Sequence, residues 1–189
     1  MSTALAKVPT PDYTEEFLEY FDRLIGVEGG YSADRNDPGN WTGGRIGVGQ
    51  LKGTKYGIAA NTYGYLDIKN LTIEDAKKIY WQDWWLKIGA DSLPSAVTYQ
   101  MWQFAVNAGI GTAKRGLQYA VGTAQDGHIG PLTLAAVERA DLNDIILRFN
   151  SFVLDHYTSL STWPTYGRGW ARRVATNLRY AAVDNNAGQ

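Results

Sequence analysis

An apolar helical stripe that ends in a carboxylate constrains this chain more than any other feature. Phe17, Phe21, Leu24 and Ile25 recur at the i, i+4, i+7, i+8 spacing of one helix face. Glu28 continues the stripe, seven residues after Phe21 and four after Leu24, where an apolar residue belongs. Gly29-Gly30 follows, the signal for a helix that closes in a left-handed turn. The pattern predicts a helix from a capping box at Asp12-Tyr13-Thr14-Glu15 to Glu28, with the Glu28 carboxyl in the last turn on the buried side. Desolvation and the negative end of the helix dipole both disfavour the ionised form there. A carboxyl that keeps its proton near neutrality can serve as a general acid. The structural alternative is a buried Glu paired with Arg23, Arg35 or Arg45.

Nine residues after Glu28 comes Asp37, inside the turn sequence Arg35-Asn36-Asp37-Pro38-Gly39-Asn40. Trp41 to Gly49 then reads as a small Gly-rich hairpin within a β segment over 31–54. A protonated Glu closing a helix, with a second carboxylate in a turn beyond it, is an arrangement that cleaves glycosidic bonds by acid assistance. An Asp in such a turn can equally be a turn former alone.

The motifs Glu28-Gly29-Gly30-Tyr31, Asp37-Pro38-Gly39 and Thr54-Lys55-Tyr56-Gly57-Ile58 resemble the signature of the glycoside hydrolase family 108 N-acetylmuramidases, approximately EGGY–DPGG–T–x–x–GI. These are mostly phage and prophage endolysins, and the Glu-to-Asp spacing is similar to that of T4-type phage lysozymes. The resemblance implies Glu28 as the catalytic acid and Asp37 as the second carboxylate. It also implies a threonine that orients the attacking water. The step from the turn to that threonine is longer here by about a dozen residues. Thr42 keeps the short spacing and Thr54 keeps the Tyr-Gly-Ile context, so both are candidates. Tyr31 and Tyr56, in the same motifs, are candidate substrate-binding residues.

Composition narrows the chemistry. The 189 residues carry a net charge of −1 and no cysteine, with two histidines, His128 and His156. A near-neutral chain is a poor general polyanion binder, so nucleic acid is not an expected partner. Thiol nucleophiles, thiolate metal sites and disulfides are excluded, and a His-based zinc site is disfavoured; no metal or cofactor is expected. The segment Met1 to Pro11 lacks the apolar run of a signal peptide or anchor, and no later stretch is long enough to span a membrane. The expectation is a protein held in the host bacterial cytoplasm until released to the periplasm and cell wall. For an endolysin, the resemblance implies a holin as the route.

Farther along, Gly44-x-x-Gly47-x-Gly49 has no Gly-Lys-Ser/Thr after it, which rejects a phosphate loop. A short helix is expected at about 55–62, and another from Ile73 to about Lys87 capped by Thr72. In the latter, Ile73, Ala76, Tyr80 and Trp84 share a core-facing stripe. Trp81 and Trp85 form a neighbouring stripe, able to pack or to stack on sugar rings. After Ser92-Leu93-Pro94, Val97, Met101, Phe104, Ala105 and Ala108 keep helical period up to Gly109 and mark a central buried helix. Gln103 and Asn107, one turn apart on it, are candidate donors to N-acetyl groups, or satisfy buried backbone.

Leu117-Gln118 and Asp126-Gly127-x-x-Gly130-Pro131-x-Thr133 resemble the family's C-terminal region, named for predicted peptidoglycan binding. Locally the second motif is a tight turn followed by a helix with proline in its first turn. Asp141 to Asn143 starts a helix to about Ser159, Trp163–Trp170 reads as a turn-rich loop, and a last helix carries Arg168, Arg172 and Arg179 near or along it as a mild basic edge or a solvated face.

The expected fold is α+β and mainly helical, similar to the lysozyme superfamily, with about seven helices and one small Gly-rich hairpin. A muramidase lobe over 12–92 and a C-terminal helical lobe over 93–183 would enclose a cleft with Glu28 at its base. The expected partner is the glycan strand of peptidoglycan and the expected state a monomer. Alternatives are a lytic transglycosylase that needs no Asp37, and a non-catalytic wall-binding protein.

Overall fold

In the computed structural model, which describes residues 10–26 and 30–186, the first helix is shorter at both ends than its stripe predicts. Helix α1 spans Glu15–Ile25. Its cap is Thr14 rather than Asp12, because the Thr14 hydroxyl accepts the Phe17 N–H at 3.2 Å. It ends on Gly26, whose φ of 57° breaks the helical path while its N–H still donates to the Asp22 carbonyl. The predicted extension of the helix to Glu28 falls on residues outside those described.

The chain divides into two units, Met1–Gln82 and Asp83–Gln189. In the first, Phe17, Tyr20 and Phe21 of α1 are buried. Phe17 meets Trp81 edge-on with ring centres 4.9 Å apart, and Phe21 meets Tyr80 in the same way at 5.6 Å. The two-stranded antiparallel hairpin lies later than the sequence suggests. Strands β1 (Thr54–Lys55) and β2 (Ile58–Ala59) pair Thr54 with Ala59 and Lys55 with Ile58. Tyr56 and Gly57, both at positive φ (52° and 75°), make the two-residue turn. Positive φ at both central positions matches the right-handed twist of the strands. This corrects the helix expected from residue 55; the helix there, α2 (Ala60–Tyr63), begins only after the hairpin.

The Trp41–Gly49 stretch is a loop instead of a pair of strands. One antiparallel bridge, Trp41 to Leu51, closes it. Its glycines serve tight bends: Gly44, Gly47 and Gly49 all take positive φ.

Helix α3 (Ile73–Tyr80) starts in a full capping box between Thr72 and Asp75. At Trp81–Trp85 the helix widens into a π turn before α4 (Leu86–Ile88). The widened turn changes the register, so the core stripe differs from the one a uniform helix predicts. The buried position passes from Trp84, which is half-buried, to Trp85, and Trp81 is buried as well; Ile73 is exposed too, but it begins α3, upstream of the widened turn. Both buried indoles therefore pack in the core.

In the second unit, α5 (Ser95–Ala108) is buried at every position from Ala96 to Ala105. It contacts α6 (Ile110–Val121), α8 (Leu142–Ser159) and α9 (Trp163–Asn186). The aromatic ring of Phe104 sits edge-on to Phe149 and Tyr157. Where α6 crosses α8, Gly116 lets the Phe149 and Phe152 rings reach the α6 backbone. Helix α7 (Pro131–Arg139) places Pro131 in its first turn, where a missing N–H costs nothing.

Trp163–Trp170 is the first part of α9, a correction to the loop its proline and glycines predict. Pro164 falls in the first helical turn, and Gly167 lies beneath the Trp163 ring one turn on, a place no side chain could fill. No helix among the described residues is long and apolar enough to cross a membrane.

Candidate active site

The turn Asp37-Pro38-Gly39-Asn40 is built by its own side chains. Asp37 caps a 3-10 turn over Pro38–Asn40, and its Oδ1 accepts the Gly39 N–H at 2.8 Å. The Asp37 residue is exposed, so its carboxylate is held at one oxygen and open to solvent. Pro38 fixes the backbone at the start of the turn without losing a needed donor.

Asn40 is the centre of the region. It is 0% exposed. Its Nδ2 donates to the Asp34 carbonyl at 2.9 Å and its Oδ1 accepts the Thr54 hydroxyl at 2.7 Å. Its own carbonyl accepts the N–H groups of both Lys52 and Gly53 at 3.0 Å. Thr54 in turn exchanges backbone hydrogen bonds with Ser32, at 2.8 and 2.9 Å. The strand edge at Thr54 is thereby tied to the turn on one side and to the segment that follows Tyr31 on the other.

This arrangement explains the lengthened step between the turn and the threonine. The chain leaves at Trp41, returns at Leu51 and resumes beside Asn40, so residues 41–51 form a closed excursion. Thr54 consequently sits against the turn despite standing fourteen residues from Asn40. The Thr42 hydroxyl is engaged elsewhere, accepting the Gln50 N–H at 2.9 Å and closing the excursion from within. Trp41 pins the loop through its indole N–H, which donates to the Arg35 carbonyl at 2.9 Å.

Tyr31 is 39% exposed and packs its ring over Gly53, where a Cβ would collide with it. It forms one wall of an open groove of about 390 Å³, together with Leu51, Lys52, Tyr65, Asp67 and Lys69. Tyr65 is 74% exposed, so the groove has two aromatic faces turned to solvent. Tyr56 stands at the hairpin tip with the Lys55 ammonium over its ring, 5.3 Å from the centre. The Tyr56 carbonyl accepts the buried Tyr80 hydroxyl at 3.1 Å. Burial pushes the Tyr80 phenol far above its ordinary pKa, so it stays a donor. Glu28 lies outside the described residues.

Both Gln103 and Asn107 belong to the second unit, Gln103 buried on α5 and Asn107 exposed one turn farther along it. Asn107 donates to the Gln103 carbonyl at 2.8 Å, and Gln103 Oε1 accepts Asn177 Nδ2 at 2.6 Å. The Gln103 side chain is buried within the helices. A set of buried amides joins α5, α8 and α9 here. Gln100 donates to the Asn177 carbonyl at 2.8 Å and accepts from Asn150 at 3.2 Å. Such pairs satisfy polar groups that burial would otherwise penalise.

The Gln118 and Asp126-Gly127 motifs also meet. Gln118 donates to Asp126 Oδ1 and to the His128 carbonyl, and accepts the Gly127 N–H at 2.8 Å. The hydrogen bond from Gln118 and then that from the His128 backbone hold the Asp126 pKa below its ordinary value.

Sequence reasoning missed Asn40. Its signal was a polar residue in the last position of a DPGG-like turn, where the family signature has glycine.

A family model described as Glycosyl hydrolase 108 matches residues 21–109. Among solved structures, the chain is similar to that titled "Structure of Brucella abortus SagA", with 31% sequence identity and a TM-score of 0.76. The match covers 88% of this chain and 94% of that one. None of the curated proteins matches.

Proposed function

The chain belongs to the glycosyl hydrolase 108 family, and from that premise we propose that it hydrolyses the β-1,4 bond between N-acetylmuramic acid and N-acetylglucosamine in peptidoglycan. The observation that carries the reading is the Asn40 cluster. It holds an exposed carboxylate, Asp37, and a hydroxyl, Thr54, in one short turn-and-strand unit of the family's matched segment.

In this reading Glu28 protonates the leaving oxygen. Asp37 activates a water or stabilises the oxocarbenium-like transition state, and Thr54 orients the water. Thr42 is left to hold the loop, since its hydroxyl closes residues 42–50 on themselves while that of Thr54 meets the Asn40 turn. Tyr31, on the groove wall, supplies an aromatic face to a sugar ring. The biological setting that fits is lysis of a bacterial wall by an enzyme released from the cytoplasm, with a holin as the route.

Mass spectrometry of muropeptides released from purified peptidoglycan tests the proposal. Wild type should release reducing muramic acid ends, and Glu28→Gln should lower the rate by about 10²-fold or more. Anhydro-muramic ends would identify a lytic transglycosylase. Equal products from both proteins would remove Glu28 from the chemistry.

A further inference from the structure

We infer that Asn40 is a positioning residue: its Oδ1 accepts the Thr54 hydroxyl hydrogen bond and so turns the Thr54 lone pairs towards the attacking water. The inference rests on the hydrolytic reading above. Its warrant is the direction of each hydrogen bond around one buried amide. Asn40 Nδ2 donates to the Asp34 carbonyl, an acceptor that only the NH₂ end can satisfy. That contact settles which end of the amide faces Thr54, namely Oδ1 at 2.7 Å. An amide oxygen has no proton to give, so Thr54 is the donor. A threonine hydroxyl has one proton, and here it is committed.

What remains on Thr54 Oγ1 is acceptor capacity. A water bound there must donate to it. In the hydrolytic reading, where Asp37 is the base, the water's second hydrogen goes to Asp37, whose Oδ1 also accepts the Gly39 N–H. With both hydrogens directed at protein oxygens, the water's lone pair points away from them, towards the sugar. In the single-displacement form of the reaction the water oxygen bonds to the anomeric carbon as the glycosidic C–O bond breaks. The leaving oxygen takes the Glu28 proton and Asp37 takes a proton from the water, so Glu28 ends ionised and Asp37 protonated. Were Thr54 free to rotate, its own proton could point at the water and turn the lone pair aside.

Two further features fit this role. Asn40 is wholly enclosed, and its carbonyl fastens Lys52 and Gly53, the residues leading into Thr54. The same residue therefore sets both where Thr54 sits and which way its hydroxyl points. Thr42, with its hydroxyl already accepting a backbone N–H, shows the opposite polarity.

The test uses the full chain and steady-state kinetics on purified peptidoglycan, with product ends identified as above and folding checked by thermal melting. Thr54→Val should lower kcat by about 10- to 100-fold with KM little changed, because the water is misplaced while substrate contacts remain. Thr54→Ser, which keeps the hydroxyl, should recover most of the loss. Asn40→Ala should also lower kcat, and the double variant should be no worse than Thr54→Val alone, since Asn40 acts through Thr54. If Asn40→Ala does not fold, Asn40→Ser takes its place in the cycle. Wild-type kcat in Thr54→Val, or losses that multiply in the double variant, would overturn the inference and leave the hydrolytic reading standing. A wild-type protein inert on peptidoglycan would overturn both.

Discussion

At Gly57 the backbone runs at a φ of 75° directly under the Tyr80 hydroxyl, which is donating to the Tyr56 carbonyl. A methyl group there would meet that hydroxyl and would also have to hold a left-handed conformation. Gly57→Ala should therefore cost more than the roughly 1 kcal/mol that positive φ alone exacts, with both the turn and the hydrogen bond disturbed. Chemical denaturation of the variant beside Tyr80→Phe checks this: Tyr80→Phe loses only the hydrogen bond and should fall by about 1 kcal/mol. An equal loss in both would mean that the glycine conformation contributes nothing. At this scale the motif residues were legible in the sequence, but their partners were not. Thr54 could be named as a candidate, whereas its pairing with Asn40 depends on a loop closing between Trp41 and Leu51.

Helix α8 carries a pH-dependent contribution to stability in its last turns. The His156 ring is half-buried and stands edge-on to Phe104 with centres 5.4 Å apart. Burial lowers its pKa below the ordinary 6.5. The unfolded chain then takes up a proton at a higher pH than the folded one. Stability from this group is whole above pH 6.5 and declines as the pH falls towards the lowered folded value. His156→Gln should flatten the part of the stability profile that declines below about pH 6.5, read as the denaturation midpoint against pH. An unchanged slope would assign the acid sensitivity to other groups. Elements as a class were well marked by periodicity where the helix was regular, as for α5 and α8. They were misplaced where one residue changed the geometry: Gly26 stopped α1 early, and the π turn at Trp81–Trp85 moved the buried stripe.

Across the whole chain the net charge is only −1, yet α9 exposes Arg168, Arg172 and Arg179 at spacings that return to one helix face. Anionic stem peptides of a bacterial wall would meet a local positive edge despite the neutral average. Replacing the three by Gln should weaken sedimentation with purified sacculi several-fold at low salt. The difference should shrink as ionic strength passes about 0.15 M, where the screening length falls to about 8 Å. Loss of binding that persists at high salt would point to a contact other than charge.

By itself the sequence determined the mainly helical class, the central buried helix after Pro94, the caps at Thr72 and Asp141, and the turn at Asp37, because these follow from local periodicity and from hydrogen bonds within a few residues. Tertiary structure alone decided that the hairpin turns at Tyr56-Gly57, that Thr54 meets Asn40 across a closed loop, and that Gln103 is spent on Asn177 rather than on solvent. The last two depend on partners fourteen and seventy-four residues apart. No local preference encodes such a pairing; it exists only once burial has removed water from the groups that must then satisfy one another.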